Sequence, residues 1–121
     1  MSHGDWVPVT RHDGETVGHL EPLTDDWSAV RPRTVLGHPA GDAMEFIPAE
    51  ELLLDRGLGE LLEPWTLTTE DGTVEDLTII EVAPRGIRLA DRTATKALAA
   101  TEEFVVAWPD LDRRLSRRTS R

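Results

Sequence analysis

His12, His19 and His38 are the side chains of the first half of the chain that could bind a metal ion. Two imidazoles with a carboxylate such as Asp13 could hold zinc or iron and leave coordination positions open for a metabolite. However, the sequence contains no HxH, HxxxH or HExxH spacing. Ordinary surface or strand histidines are therefore the preferred interpretation. A metabolite- or metal-binding protein, with enzymatic activity included, is the alternative.

Other catalytic chemistry has weaker support in the sequence. No Gly-x-Ser-x-Gly elbow is present, and the absence of cysteine excludes disulfides, thiolate catalysis and zinc–thiolate sites. Adjacent acidic residues are expected by chance in a chain with 23 Asp and Glu residues, and neighbours on a strand point to opposite faces. These observations favour a binding protein over an enzyme, and we predict no cofactor.

Carboxylates are concentrated on residues 47–65, which are the segment with the clearest helical pattern. We expect this segment to form part of a surface for a basic protein partner, because opposite charges accelerate encounter and apolar side chains nearby supply affinity. The alternative is the solvated side of an amphipathic helix. The predicted surface comprises Glu50, Glu51, Asp55, Glu60 and Glu63, with Phe46 and Trp65 as apolar anchors.

The charge of the chain is distributed unevenly. The net charge is −10 overall, whereas residues 1–112, with 8 basic and 23 acidic residues, carry −15. A region this acidic should repel nucleic acid and anionic lipid and attract basic surfaces. The alternative is that the excess of acidic residues simply keeps the protein soluble. No apolar run approaches the length of a spanning helix and no secretory signal is recognisable, so we expect a cytoplasmic protein without membrane partners.

The last nine residues, RRLSRRTSR, form a basic segment with a repeated Arg-Arg-x-Ser pattern. Basic residues before a hydroxyl suit a basophilic kinase, which makes Ser116 and Ser120 candidate phosphorylation sites. Leu115 alone offers little apolar surface to offset the entropy of ordering, so residues 113–121 are predicted to be a disordered tail. Such a tail could contact nucleic acid weakly or fold back on the acidic body.

Residues typical of helix ends predict a helix over 48–62. Pro48 suits a first helical position, and Gly57 suits the left-handed residue that ends a helix. The predicted helix is therefore interrupted near Gly57 and ends before Pro64. Its acidic residues should face solvent, and its buried side should comprise Leu54, Leu58, Leu61 and Leu62.

Short alternating segments with turn residues fill the rest of the chain. Asp13-Gly14 and Asp71-Gly72 each predict a β-hairpin that follows a tryptophan-led strand. Third and fourth strands are expected at 27–30 and 34–37, on either side of Arg31-Pro32-Arg33. The prediction is a mainly β (α+β) single domain over 1–112, a small antiparallel barrel or sandwich of about 7–8 short strands. Its two similar halves would be joined by the helix at 48–62, with an internal duplication as one hypothesis.

Several of these features resemble a group of small uncharacterised actinobacterial proteins. The resemblance rests on Trp6–Gly14, the Arg56–Gly59 break, Trp65 and the Asp71-Gly72 strand, and it covers most of residues 5–109. It implies a β-rich single domain and nothing catalytic.

Overall fold

A computed structural model describes residues 3–93 and 103–117. Their Cα positions divide the chain into two compact units, Met1–Leu58 and Gly59–Arg121, where the sequence predicted one domain over 1–112. The division falls just after the helix. The helix therefore belongs to the first unit.

The first unit is a three-stranded antiparallel sheet with one helix packed against it. Its strands are β1 (Val7–Thr10), β2 (Thr16–Pro22) and β3 (Val30–Thr34), in the order β1-β2-β3, and its helix is α1 (Phe46–Arg56). The predicted Asp13-Gly14 turn is confirmed, because Gly14 has φ 88° and its N–H donates to the Arg11 carbonyl at 2.8 Å.

Helix α1 is positioned by a glycine on the central strand. Ala49 and Leu53 of α1 are fully buried, and the Leu53 side chain lies where a β-carbon on Gly18 would stand. A side chain at position 18 would push the helix off the sheet, so Gly18 permits the close approach. The core that results consists of Val9, Val17, Leu20, Val30, Ala49 and Leu53.

Strand β3 differs from the sequence prediction of two strands separated by a break at 31–33. It runs through Pro32, which lies opposite Leu20 of β2. The position tolerates proline because β3 is an edge strand, and the Pro32 carbonyl still accepts the N–H of Ala40 at 2.8 Å.

The helix is shorter than the predicted 48–62 and begins earlier. Glu45 is its N-cap without a side-chain hydrogen bond, and Gly57 ends it with φ 65° and ψ −153°. A separate 3₁₀ turn, Gly59–Leu62, follows in the second unit. The predicted interruption at Gly57 is confirmed, although the glycine lies outside the usual left-handed helical region.

The second unit is a five-stranded antiparallel sheet in the order β7-β6-β5-β4-β8. Its strands are β4 (Trp65–Thr69), β5 (Gly72–Ala83), β6 (Gly86–Asp91), β7 (Glu103–Val106) and β8 (Leu115–Arg117). The pairing puts Trp65 opposite Leu77, and Leu67 opposite Leu115, and all four side chains are buried.

Strand β8 corrects the prediction that the basic tail is disordered from residue 113. Leu115 is 1% exposed and pairs with Leu67 on β4. Asp110, itself buried, fixes the approach to the strand, since its carboxylate accepts the N–H groups of Arg114 at 2.9 Å and Leu115 at 3.0 Å. The prediction failed over 113–117 because β4, the strand that pairs with β8, is distant in sequence. Residues 118–121 lie outside the described part.

The mainly β class is confirmed, with eight strands in two antiparallel sheets and one α-helix among the described residues. Each unit contains three consecutive strands that pair in sequence order, and a tryptophan marks the start of the first: Trp6 directly precedes β1, and Trp65 is the first residue of β4. The first unit adds α1, and the second adds β7 and β8. The internal duplication stays a hypothesis.

Candidate functional site

The outward side of α1 combines exposed apolar and acidic side chains. Ile47 is 59% exposed and Leu54 is 40% exposed. With 3.6 residues per turn, Ile47, Glu51 and Leu54 fall within about 60° of the helix circumference. Glu51 is exposed, and so is Asp55 on one flank, whereas Glu50 on the other flank is half-buried. We call Ile47, Glu50, Glu51, Leu54 and Asp55 the α1 face.

The α1 face is fixed by the packing of the opposite side of the helix. Ala49 and Leu53 point into the core of the first unit, and Leu52 packs against that core while half-buried. The prediction that Leu54 lies on the buried side is therefore wrong, and so is the prediction for Leu62, which is 81% exposed. Leu58 and Leu61 are half-buried.

The acidic residues predicted as one partner surface divide between the two units. Glu50, Glu51 and Asp55 lie on α1, whereas Glu63 belongs to the second unit and bonds to Arg117 with an N–O distance of 2.8 Å. The side chain of Glu60 lies outside what the structure describes. The part of the predicted surface that α1 itself holds together is Glu50, Glu51 and Asp55.

The two predicted apolar anchors have different surroundings. Phe46 is half-buried and its ring meets that of Trp27 edge-on, with centroids 6.2 Å apart. Trp65 is 2% exposed and belongs to the core of the second unit, so it offers no surface to a partner. Ile47 and Leu54 are the large apolar side chains that α1 exposes instead.

The histidines of the metal alternative occupy different environments. His12 is exposed in the β1–β2 turn, His19 is half-buried on β2 with its ring centroid 6.3 Å from that of Trp6, and His38 is buried in the loop after β3. Burial lowers the pKa of His19 and so favours its neutral form. Over residues 3–93 and 103–117, no group of three or more His, Asp or Glu side chains is arranged to hold a metal ion.

Arg31 and Arg33 of β3 form a cluster with Glu21 of β2. Arg33 donates from Nε at 3.1 Å and from Nη2 at 3.0 Å to Oε1 of Glu21, and from Nη1 to the Gly37 carbonyl at 2.9 Å. Its guanidinium lies 4.8 Å from the centre of the Trp6 ring. This cluster ties β2 to β3. The Arg-x-Arg spacing on β3 is a signal from which the alternation of a strand could have predicted it.

The candidate phosphorylation sites are described only in part. Ser116 is exposed in the middle of β8, opposite Thr66 of β4. Ser120 lies outside the described residues. The hydroxyl of Ser116 is therefore on the surface, but its backbone belongs to a strand whose neighbour Leu115 is buried.

A small groove in the first unit was not predicted from the sequence. Asp5, Pro22, Thr24, Asp25 and Trp27 line a small open groove in the first unit. Trp27 is half-buried. The sequence signal for the groove is weak, because Asp5 and the 22–27 loop are far apart along the chain.

No protein-family model, curated protein or solved structure matches this chain. The resemblance to small actinobacterial proteins therefore stays a prediction. Within the described residues, no helix has the length and apolar character needed to cross a membrane.

Proposed function

We propose that the protein is a non-catalytic interaction module, an adaptor or inhibitor, whose α1 face binds a basic segment of another protein. The observation that carries the proposal is the exposure of Ile47 and Leu54 beside the exposed carboxylates of Glu51 and Asp55. Apolar side chains on an outward helix face, rimmed by charge, are typical of an interaction site.

The apolar pair supplies affinity in this proposal. Ile47 and Leu54 are seven residues apart and so lie on the same side of α1, two turns from each other. A partner side chain that covers both would remove apolar surface from water, and buried apolar contacts contribute most of the binding energy in protein interfaces.

The carboxylates determine which kind of partner binds. Glu50, Glu51 and Asp55 surround the apolar pair, and the whole chain carries a net charge of −10. A basic partner would be attracted over a distance of about 10 Å at moderate salt. Nucleic acid and anionic lipid would be repelled, so the expected partner is a protein segment with Lys or Arg beside an apolar side chain.

The alternative, a metabolite- or metal-binding protein, has less support from the arrangement of side chains. Its candidate ligands His12, His19 and His38 do not form a three-ligand group within the described residues. Metal analysis of protein purified without a tag tests this alternative directly. Stoichiometric zinc, iron or manganese would favour it.

The proposal is tested by capture of partners from an extract of the native host on the immobilised full chain, at low and at moderate salt. The key variant is Ile47→Ser with Leu54→Ser, which removes the apolar pair and keeps every charge. Its matched control is Val105→Ser with Leu111→Ser, since both of these side chains are exposed and both lie in the second unit.

A captured protein supports the proposal only if it is basic, is retained by the control and is lost by the α1 variant. Binding of the purified pair should then weaken about tenfold or more in the α1 variant. Equal binding by the wild type, the control and the α1 variant would refute the proposal.

A further inference from the structure

The groove lined by Asp5, Pro22, Thr24, Asp25 and Trp27 has the chemistry of a cation site. Trp27 supplies an aromatic surface, Pro22 an apolar wall, and Asp5 and Asp25 supply two carboxylates. An aromatic face attracts a cation through its electron-rich π-system, and a nearby carboxylate adds a charged hydrogen-bond acceptor.

The loop that carries Trp27 is held in place by its own hydrogen bonds. The Trp27 N–H donates to the Thr24 carbonyl at 3.2 Å, and the Asp26 carboxylate accepts the Ser28 N–H at 3.0 Å and the Thr24 hydroxyl at 2.8 Å. The Ser28 N–H, foremost among these contacts, lowers the pKa of Asp26. Asp26 therefore maintains the loop, and the groove needs little rearrangement to accept a ligand.

The two carboxylates give the groove a negative charge. In the ranges 3–93 and 103–117, no basic side chain forms an ion pair with Asp5 or Asp25. Two carboxylates beside an aromatic ring create a local negative potential that a cationic side chain would relieve.

We propose that this groove binds the side chain of an arginine from a partner protein. A guanidinium is planar, so it can stack on the Trp27 ring while its N–H groups reach Asp5 or Asp25. It is also more weakly hydrated than an ammonium group. The inference rests on the proposed function for the source of the arginine, but the affinity of the groove for the side chain can be measured without any partner.

The groove and the α1 face are neighbours in the first unit. Trp27 meets Phe46, the first residue of α1, with ring centroids 6.2 Å apart. A basic segment seated on the α1 face could thus place one arginine in the groove.

The test is a titration of the full chain with N-acetyl-arginine amide, followed by the amide resonances of Thr24 and Asp25 and the indole N–H of Trp27. The neutral isostere N-acetyl-citrulline amide serves as the matched ligand control, and N-acetyl-lysine amide compares the two cations. We expect saturable shifts with the arginine compound, weaker ones with the lysine compound and none above background with citrulline.

Two variants test the residues of the groove. Asp5→Asn with Asp25→Asn should weaken arginine binding about 4- to 25-fold, taken as about two- to fivefold for each exposed carboxylate. Asp13→Asn with Glu15→Gln is the charge-matched control, since both side chains are exposed in the turn at the opposite end of β2, and it should bind as the wild type does. Trp27→Leu, if folded, should also weaken binding.

Equal shifts with the arginine and citrulline compounds would overturn the inference. So would equal weakening by the Asp13→Asn, Glu15→Gln control and by the groove variant, because that would indicate diffuse attraction to an acidic protein. The Ile47→Ser, Leu54→Ser variant separates this inference from the proposed function. This variant should bind the arginine compound normally. If it also loses the partner, both the proposed function and the inference stand. If it keeps the partner, the proposed function alone is refuted.

Discussion

Replacement of Gly18 by alanine is expected to disrupt the packing that orients α1. A β-carbon at this position would lie 2.5 Å from the Arg33 carbonyl oxygen and 2.9 and 3.1 Å from the two δ-carbons of Leu53. Comfortable contacts between non-bonded heavy atoms lie near 3.5–4.0 Å, so the closest overlap is about 1 Å.

Neither neighbour can retreat easily. Arg33 is part of β3 and is held through Glu21 and Gly37, and Leu53 is fully buried. Overpacking of a close-packed core costs about 1–3 kcal/mol. Because one of the two opposing groups is backbone, we expect Gly18→Ala to lose about 3 kcal/mol of stability.

The assay is urea unfolding followed by the amide resonances of β2 and α1, so that the first unit is observed by itself. Gly59→Ala is the matched control, since a β-carbon there meets nothing within 4 Å, and it should change the free energy of unfolding by less than about 0.5 kcal/mol. A loss of under about 0.5 kcal/mol for Gly18→Ala would show that Leu53 does not dock on Gly18 and would remove the basis for the α1 face.

Three further predictions follow from local geometry. Gly57→Val should lower the free energy of unfolding by about 1–3 kcal/mol, because residues other than glycine rarely adopt φ 65° with ψ −153°. An unchanged unfolding midpoint would mean that α1 continues past Gly57. Leu115→Ala should lower the free energy of unfolding by about 2–5 kcal/mol and speed amide exchange in β8, whereas the control Ser116→Ala should leave both unchanged. Equal stability of the two variants would restore the prediction of a disordered tail. Burial lowers the pKa of His19 below its ordinary value of 6.5, so the unfolded state takes up the proton first and the stability supported by neutral His19 is lost as the pH decreases through about 6.5. Urea unfolding of His19→Gln should show a flatter pH dependence than the wild type, and identical slopes would contradict this account.

Features determined by neighbouring residues could be predicted from the sequence. The Asp13-Gly14 and Asp71-Gly72 hairpins form where expected, because Gly14 and Gly72 take the positive φ values that these turns require. The same holds for the end of α1 at Gly57. The mainly β class follows from such local signals.

Features that depend on distant partners could not be predicted. Leu52, Leu53 and Leu54 are consecutive and cover about 200° of the helix, so the pattern alone does not say which one faces the sheet. The contact with Gly18 determines that Leu53 is the one that faces the sheet. Similarly, Leu115 lacks apolar neighbours in sequence and finds them only across β4.

The candidate site was predicted in its charge and not in its apolar part. Glu51 and Asp55 are exposed as expected, but Trp65 is a core residue because it shares a face with Leu67 and Leu77. The groove around Trp27 escaped prediction, since it depends on the approach of Asp5 to a loop distant in the sequence.

The most direct test of the α1 face is the dissociation constant of a purified basic partner, measured by calorimetry against charge-reversed variants. Glu51→Lys with Asp55→Lys reverses the face, and Glu70→Lys with Glu75→Lys reverses two exposed acids of the second unit as the control. The proposed function predicts that binding weakens about tenfold or more with the α1 variant, that this difference shrinks as salt rises, and that the control binds within about twofold of the wild type. Equal weakening by both variants, or by neither, would contradict it.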